Sequence, residues 1–320
     1  MWLTALAPLI WGSTYFVTTE LLPADRPLLA ATVRALPAGL VLLLFVRKLP
    51  HGAWRWRAVV LAVLNIGAFF PLLFLSAYRL PGGVSAIVAA LQPFVAAGLG
   101  YPLLRLVPNP RMLVAGIVGL GGVTLVVLRA TATIDGLGLA AGAAGTMIMA
   151  TGTVLGRRWG APPEGLFALT SWQLAIGGAL LLPVTLGFEG LPAELTGRNV
   201  LGFGYLSVFG AILAYSLWFR GVTRLQPTQV SMLGLLSPVM AATIGWIALD
   251  QALGGWQLVG AAMALGAVAV GALSPARPRP ALLHRAGHHA LDEVPLEGEE
   301  HPQRDDHRQE RPRGDHVDVR

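Results

Sequence analysis

Residues 93–123 read PFVAAGLGYPLLRLVPNPRMLVAGIVGLGGV, and residues 238–268 read PVMAATIGWIALDQALGGWQLVGAAMALGAV. Superimposed at a displacement of 145 without a gap, ten of the 31 positions are identical: Pro93/Pro238, Ala96/Ala241, Ala97/Ala242, Gly100/Gly245, Leu104/Leu249, Leu113/Leu258, Val114/Val259, Leu120/Leu265, Gly121/Gly266 and Val123/Val268. Shared apolar composition gives some coincidences. A mid-helix proline matched together with several glycines marks an internal duplication.

Around these copies the chain is a series of apolar runs, at about 2–19, 28–46, 58–77, 83–104, 112–128, 137–156, 166–188, 199–219, 228–249 and 255–273. Each approaches the ~20 residues a bilayer-spanning helix needs. They lack the period-2 alternation of a barrel, and an open sheet edge is not tolerated in hydrocarbon, so the spanning elements are read as helices. Five helices separate the two copies. Because five is odd, the second copy crosses the membrane in the opposite sense, which predicts an all-α integral membrane fold of ten helices in two inverted five-helix repeats, 1–130 and 137–274. Near-equivalent inverted halves can exchange roles and open a central cavity to either side, an architecture of transport.

Composition agrees. The 320 residues are 54% hydrophobic and 12% charged, with a mean hydropathy of +0.63, which excludes an ordinary soluble enzyme. The charge is unevenly placed: residues 1–274 hold 15 Lys/Arg and 7 Asp/Glu, and 275–320 hold 8 and 10. Ten spans of ~20 residues leave only short loops in the body and no room for a folded extramembrane domain. The Pro-, Arg-, Glu- and His-rich segment 275–320 is too poor in large apolar residues to build a core and is expected to be a disordered cytoplasmic tail. The first run lacks a basic leader and is followed by Glu20 and Pro23, so it is read as a retained helix. Without cysteine, thiolate metal sites, disulfides and cysteine nucleophiles drop out. The high isoelectric point, near 10.4, comes from short interhelical loops and not from a basic stripe, so nucleic acid is not an expected partner.

Those loops set an orientation. Even-numbered connections carry Arg47, Lys48, Arg55, Arg57, Arg105, Arg111, Arg157, Arg158, Arg220 and Arg224, whereas odd ones carry Arg26, Arg79, Arg129 and Arg198. The positive-inside rule then places both termini in the cytoplasm.

Trp11-Gly12-Ser13-Thr14-Tyr15, Arg34, Val84-Ser85 through Pro93, Thr151-Gly152-Thr153-Val154-Leu155 with Arg157-Arg158, Trp172-Gln173, and Ser237-Pro238 through Gly245-Trp246 resemble the EamA half of the drug/metabolite transporter superfamily. The resemblance covers nearly all of 1–274 and is nearest to bacterial ten-helix exporters of pigments and amino-acid metabolites. It implies the fold strongly and the substrate hardly at all. One feature departs from the pattern: where family halves commonly close the fourth and ninth helices with Gly-Glu, this chain has Arg105-Leu106 and Asp250-Gln251.

Polar residues inside the spans are the first functional candidates, because each costs free energy unless it faces a cavity or a partner. Arg34, two turns into the second helix, would cost about 2.5–3.5 kcal/mol at the membrane centre on insertion scales. It needs an acid, for which Glu20 and Asp25 are the nearby choices, or it binds an anion. Asn65, Gln92 and Gln173 bring amides into apolar helices, either to grip a polar solute or to bond helix to helix. Gln173 takes the repeat place of Arg34 when the halves are aligned through Gly39 and Gly178. Trp11, Tyr15, Trp172, Tyr205, Tyr215 and Trp218 suit a pocket for an amphipathic solute. Trp54, Trp56, Trp159 and Trp256 are expected to mark the headgroup level. Pro93 and Pro238 free backbone carbonyls and supply bends for gating. The glycines of the fifth and tenth helices (Gly116, Gly119, Gly121 and Gly122; Gly255, Gly260, Gly266 and Gly271) suit close packing, including a homodimer contact.

The body offers no histidine within a span, no acid at mid-helix, no HExxH, no Asp-rich pair and no phosphate loop, so no catalytic residue, metal site or cofactor is expected. The His-rich tail is read as solvated and not as a metal ligand set. Proton relays use intramembrane carboxylates or histidines. With none at depth, coupling is expected by exchange or facilitated efflux, or by a proton step at Glu20. The residues thus point to a secondary transporter of the inner membrane exporting a small amphipathic metabolite. Uptake or exchange of amino acids or nucleotide sugars is the alternative within the class, and a non-transporting scaffold or sensor the alternative outside it.

Overall fold

The computed structural model describes residues 2–80, 85, 88–105, 110–127, 135–248 and 254–273. Val84, Leu106, Asp250, Gln251 and the tail from 275 therefore lie outside the described residues, and with them the paired departure at 106 and 250–251 and the expected disorder.

The described residues fold into ten helical rods. These are α1 (Trp2–Gly12 and Thr14–Leu21), α2 (Pro27–Val46), α3 (Trp54–Arg79), α4 (ending in Gln92–Leu104), α5 (Pro110–Val127), α6 (Gly136–Trp159), α7 (Leu166–Phe188), α8 (Gly197–Arg224), α9 (Pro227–Leu233 and Leu236–Ala248) and α10 (Gly255–Leu273). No strand occurs among the described residues. Six rods, α2, α3, α6, α7, α8 and the 229–248 part of α9, are long and apolar enough to cross a bilayer, and α5 and α10 contain shorter apolar helices. Large apolar side chains such as Phe45, Phe188, Leu201 and Ile247 point outward, as a lipid-facing surface requires.

Local chemistry fixes the helix ends. Pro27 starts α2, where its missing N–H costs nothing. The Glu189 carboxylate, from the far end of α7, accepts the N–H groups of Leu28 and Leu29 at 2.7 and 2.8 Å, an anion on the positive end of a helix dipole. Asp135 caps α6 through Gly138 N–H at 2.7 Å, and Thr196 and Asn199 form a capping box at the start of α8.

The centre of the molecule is the crossing of α2 and α7. A Cβ added at Gly39 would strike the backbone of Ala175, and one at Gly178 would lie 2.6 Å from the backbone of Leu36. Backbones can approach this closely only where side chains vanish. The register is informative: Leu36 meets Gly178, Gly39 meets Ala175, and Thr32 meets Thr185 at 2.6 Å between hydroxyls. Numbers rise along one helix as they fall along the other, so the second helix of one half runs antiparallel to the second helix of the other. The first two contacts also interchange under a displacement of 139, which is the mark of a pseudo-two-fold relation. Around this crossing, α1 packs on α8 and α9, and α6 packs on α3 and α4. The first helix of each half thus inserts against the third and fourth of the other.

The fifth helices pair with each other. A Cβ at Gly122 would lie 2.5 Å from the Gly260 carbonyl, and one at Gly119 would lie 2.7 and 2.8 Å from Leu235 and Ala267. These glycines pack within the chain.

Several rods expected to be continuous are not. α1 breaks at Ser13, α4 turns at 90–91 and α9 at 234–235, each just ahead of Pro93 and Pro238. A proline at the start of a helical segment sacrifices no ladder bond, so the prolines stand where a new segment begins and not inside an intact one. α3 and α8 each widen into a π turn, Val63–Ala68 and Leu206–Leu213. Shifting the first by 145 gives 208–213, inside the second.

Candidate substrate site

The π turn of α8 puts Gly210 at the centre of a polar cluster. Its carbonyl accepts two side-chain donors, Trp11 Nε1 from α1 at 2.9 Å and Arg34 Nη2 from α2 at 3.0 Å. π turns recur at functional sites, because the widened ring disturbs the helix ladder. Glycine at 210 leaves the guanidinium free to lie against the backbone: an added Cβ would touch Arg34 at 3.5–3.7 Å.

Arg34 is 1% exposed. Its guanidinium carbon lies 4.8 Å from the centre of the Phe70 ring and 5.9 Å from that of Phe74, both on α3, so two ring faces supply cation–π attraction. Tyr15, Tyr205 and Tyr215 are close enough to share its field. Trp11 packs tilted against Tyr215 and Trp218, with ring centres 4.8 and 5.0 Å apart, and Tyr215 sits 5.5 Å from Phe70. Ser13, at the break in α1, exchanges a 2.7 Å hydrogen bond with the Tyr205 hydroxyl. The result is an aromatic cluster built by α1, α2, α3 and α8 around one buried cation.

The cluster is not self-satisfied. Arg34 Nε, Arg34 Nη1 and Trp218 Nε1 are buried with no hydrogen-bond partner among the described residues. An orphaned buried donor costs about 1–3 kcal/mol, and more when charged. The expected acidic partners are elsewhere: Glu20 pairs with Arg198 at 3.8 Å, at the chain end of α1, and Asp25 joins no ion pair among the described residues. The ion-pair reading of Arg34 is therefore corrected. Both acids belong to the loop end of the bundle, above the depth of Arg34.

The repeat mate of this cluster is bonded side chain to side chain and leaves Asn65 Oδ1 buried without a partner among the described residues. Gln173, on α7 at the place of Arg34, accepts from Asn65 Nδ2 at 2.7 Å, and Asn65 sits in the π turn of α3 at the place of Gly210. Gly152 of α6 makes the room, since a Cβ there would overlap Asn65 Oδ1. In both halves the polar residue of the second helix bonds to the π turn of the other half's third helix, through an amide side chain in one case and a backbone carbonyl in the other.

The remaining candidates are dispersed. Trp172 donates to the Lys48 carbonyl at 2.7 Å and packs with Trp54, Leu61 and Leu169, a cluster separate from that around Arg34. Gln92 faces Gly234 at the break in α9, with its Nε2 unpartnered. Trp54, Trp56 and Trp159 surround the Arg57 guanidinium at 5.6–5.8 Å. Trp11, Tyr15, Arg34, Tyr205, Tyr215 and Trp218 are the predicted residues the fold brings together. Phe70, Phe74, Ser13 and Gly210 join them unpredicted. Gly210 could have been found from the sequence, because it lies 145 residues beyond Asn65.

Ten helical rods, six of them long and apolar enough to cross a bilayer, an antiparallel crossing of equivalent helices and a buried polar cluster define a multi-pass membrane protein built from two inverted helical halves. The chain belongs to the EamA-like transporter family, whose model matches residues 1–128 and again 136–272. It is 45% identical to protein PecM of Dickeya dadantii (strain 3937) over 82% of this chain and 89% of that protein. It is 28% identical to the uncharacterized inner membrane transporter YedA of Escherichia coli (strain K12), over 74% and 78% of the two chains. It is 26% identical to the S-adenosylmethionine/S-adenosylhomocysteine transporter of Chlamydia trachomatis serovar L2, over 78% and 82%. A solved crystal structure superposes with a TM-score of 0.70 at 20% identity, covering 84% of this chain and 94% of that one, which is a likeness of fold.

Proposed function

We propose that the protein is a secondary transporter of the inner membrane that exports a small amphipathic metabolite by alternating access. The observation that carries this reading is the antiparallel, pseudo-symmetric crossing of α2 and α7, with a π turn from the opposite half against each. Two conformations related by exchanging the halves are then of similar energy, the condition for opening to either side. The α2–α7 crossing is the pivot, since its backbone contacts leave no room to slide. The breaks ahead of Pro93 and Pro238 are the bends that let α4 and α9 swing.

Both termini face the cytoplasm in this reading, supported by the Arg-rich connections at the end of the bundle that holds Arg47, Lys48 and Arg57. A name such as inner membrane transporter for a relative supports the compartment, and a metabolite cargo in the name of another supports the substrate scale. Coupling is by exchange or facilitated efflux. Glu20, bound to Arg198 at a helix end, is the residue for a proton step. Purified protein in proteoliposomes preloaded with spent-medium metabolites should show counterflow with no proton gradient. If accumulation requires a gradient and is lost in Glu20→Gln, the proton step replaces exchange. If no solute moves under either condition, the transport reading fails.

A further inference from the structure

We propose that the solute is an amphipathic organic anion whose carboxylate docks on the Nε and Nη1 edges of Arg34, with its planar body against Trp11, Tyr215 and Trp218. This rests on the transporter reading and names the class of its cargo.

The first argument is charge. Arg34 is a cation at 1% exposure, and the three ion pairs among the described residues, His51–Glu164, Arg79–Asp135 and Arg198–Glu20, all leave it out. One backbone carbonyl and two aromatic rings solvate the guanidinium but do not neutralise it. A buried charge is maintained where something pays for it, and here that is a ligand of opposite sign.

The second argument is donor balance. The buried groups of this cluster that lack a partner among the described residues, Arg34 Nε, Arg34 Nη1 and Trp218 Nε1, are all N–H donors, and nothing among them accepts. A carboxylate is acceptor-only and matches a guanidinium in two bonds. A cationic or donor-rich solute would leave these groups orphaned.

The third argument comes from the repeat. If the site needed only a polar residue to bond α2 to the π turn, glutamine would suffice, because Gln173 does that work in the other half with an uncharged amide partner. At the Arg34 place the chain has a charge in place of the amide, and the π turn of α8 has glycine where α3 has asparagine. The side-chain partner is missing on the one side where the residue is charged. Packing alone does not explain that combination; a solute-supplied acceptor does.

The test uses the full-length protein in nanodiscs and pairs of probes of the same shape, a carboxylate against its neutral amide: 3-phenylpropanoate against 3-phenylpropanamide, and 2-naphthoate against 2-naphthamide. Binding is read by quenching of tryptophan fluorescence and by inhibition of counterflow. Wild type should bind each acid at least tenfold tighter than its amide. Arg34→Gln should bring the pair within twofold of each other, and Arg34→Lys should retain part of the preference. The wild-type acid-to-amide ratio needs no variant and stands if Arg34→Gln fails to fold. Equal binding of acid and amide by wild type, binding of none of the acids, or displacement of the acids by chloride alone at physiological concentration overturns the proposal. Counterflow of a neutral solute with no acid preference would overturn the anion assignment and leave transport intact. Acid preference without counterflow of any solute would overturn transport and leave the anion site.

Discussion

Arg34 with Gly210, and Gln173 with Asn65, occupy equivalent places in the two halves and do different things. The amide side is closed by a side-chain pair: donor meets acceptor at 2.7 Å, Gly152 supplies the space, and Asn65 Oδ1 is left without a partner among the described residues. The arginine side is open, with one nitrogen on a carbonyl and two unpartnered N–H edges beside an aromatic cluster. A duplicated gene supplies two copies of one interhelical clasp, and divergence can spend one on stability and the other on ligand. The difference teaches that pseudo-symmetry of backbone does not require symmetry of chemistry.

The largest expected effect removes the frame that makes the two sides comparable. Gly39→Ala places a methyl into the backbone of Ala175, which cannot yield as a flexible side chain would. The variant should be lost from the membrane fraction or elute as aggregate in size-exclusion chromatography. Normal yield and melting temperature would show that the crossing is looser than described.

Next, Gly152→Ala should break the closed side only. Its Cβ overlaps Asn65 Oδ1, and forcing the amide aside costs about 1–3 kcal/mol of overpacking, with the partner Gln173 left short of a bond. Thermal denaturation in detergent should report the loss, while acid-over-amide preference at Arg34 persists. If the preference disappears as well, the two sides are coupled and the division of labour is wrong.

Gly210→Asn would make the open side resemble the closed one. Its Cβ finds ordinary contact distances to Arg34, so the fold should survive. An amide oxygen beside the guanidinium competes with the solute, and affinity for the aromatic acids should fall roughly tenfold, equivalent to ~1.4 kcal/mol. Unchanged affinity would place the solute away from this edge of Arg34.

The smallest effect belongs to a control outside both clasps. The Gly138 N–H bonded to the exposed Asp135 carboxylate, aided by Arg79 at 3.3 Å, holds its carboxyl below the usual aspartate range. A depressed pKa contributes stability that is complete above the ordinary value of about 3.9 and vanishes as pH falls through the folded value. Asp135→Asn should therefore flatten the acid side of a melting-temperature profile and leave transport at neutral pH unchanged. An acid limb identical to wild type would remove the cap from the account.

Much of this architecture was legible in the residues. Pro93 and Pro238 at one displacement, with glycines in phase, disclosed the duplication, and Gly39 and Gly178 located the equivalent helices whose close approach is the core of the fold. Arg34 stood out because a charge in an apolar run has few explanations. The reading went astray where partners were assigned by nearness in sequence. Glu20 and Asp25 are close to Arg34 along the chain, yet Arg34 meets Gly210, 176 residues away. Trp172 suited a solute pocket by type, and its indole is bound to the Lys48 carbonyl in a cluster apart from Arg34. The π turns left no compositional signature.

Apolar run length, loop charge and the internal repeat determined from sequence alone that this chain is a multi-pass helical protein with two inverted halves, because bilayer thickness and the cost of bare peptide groups in hydrocarbon act on each segment independently of its neighbours. Tertiary structure decided which polar groups meet. Within a membrane every rod is apolar outside, so the partner of a buried arginine is chosen by the azimuth and register of helices far apart in the chain. Those are set by backbone-to-backbone glycine contacts and π turns, which no local pattern encodes.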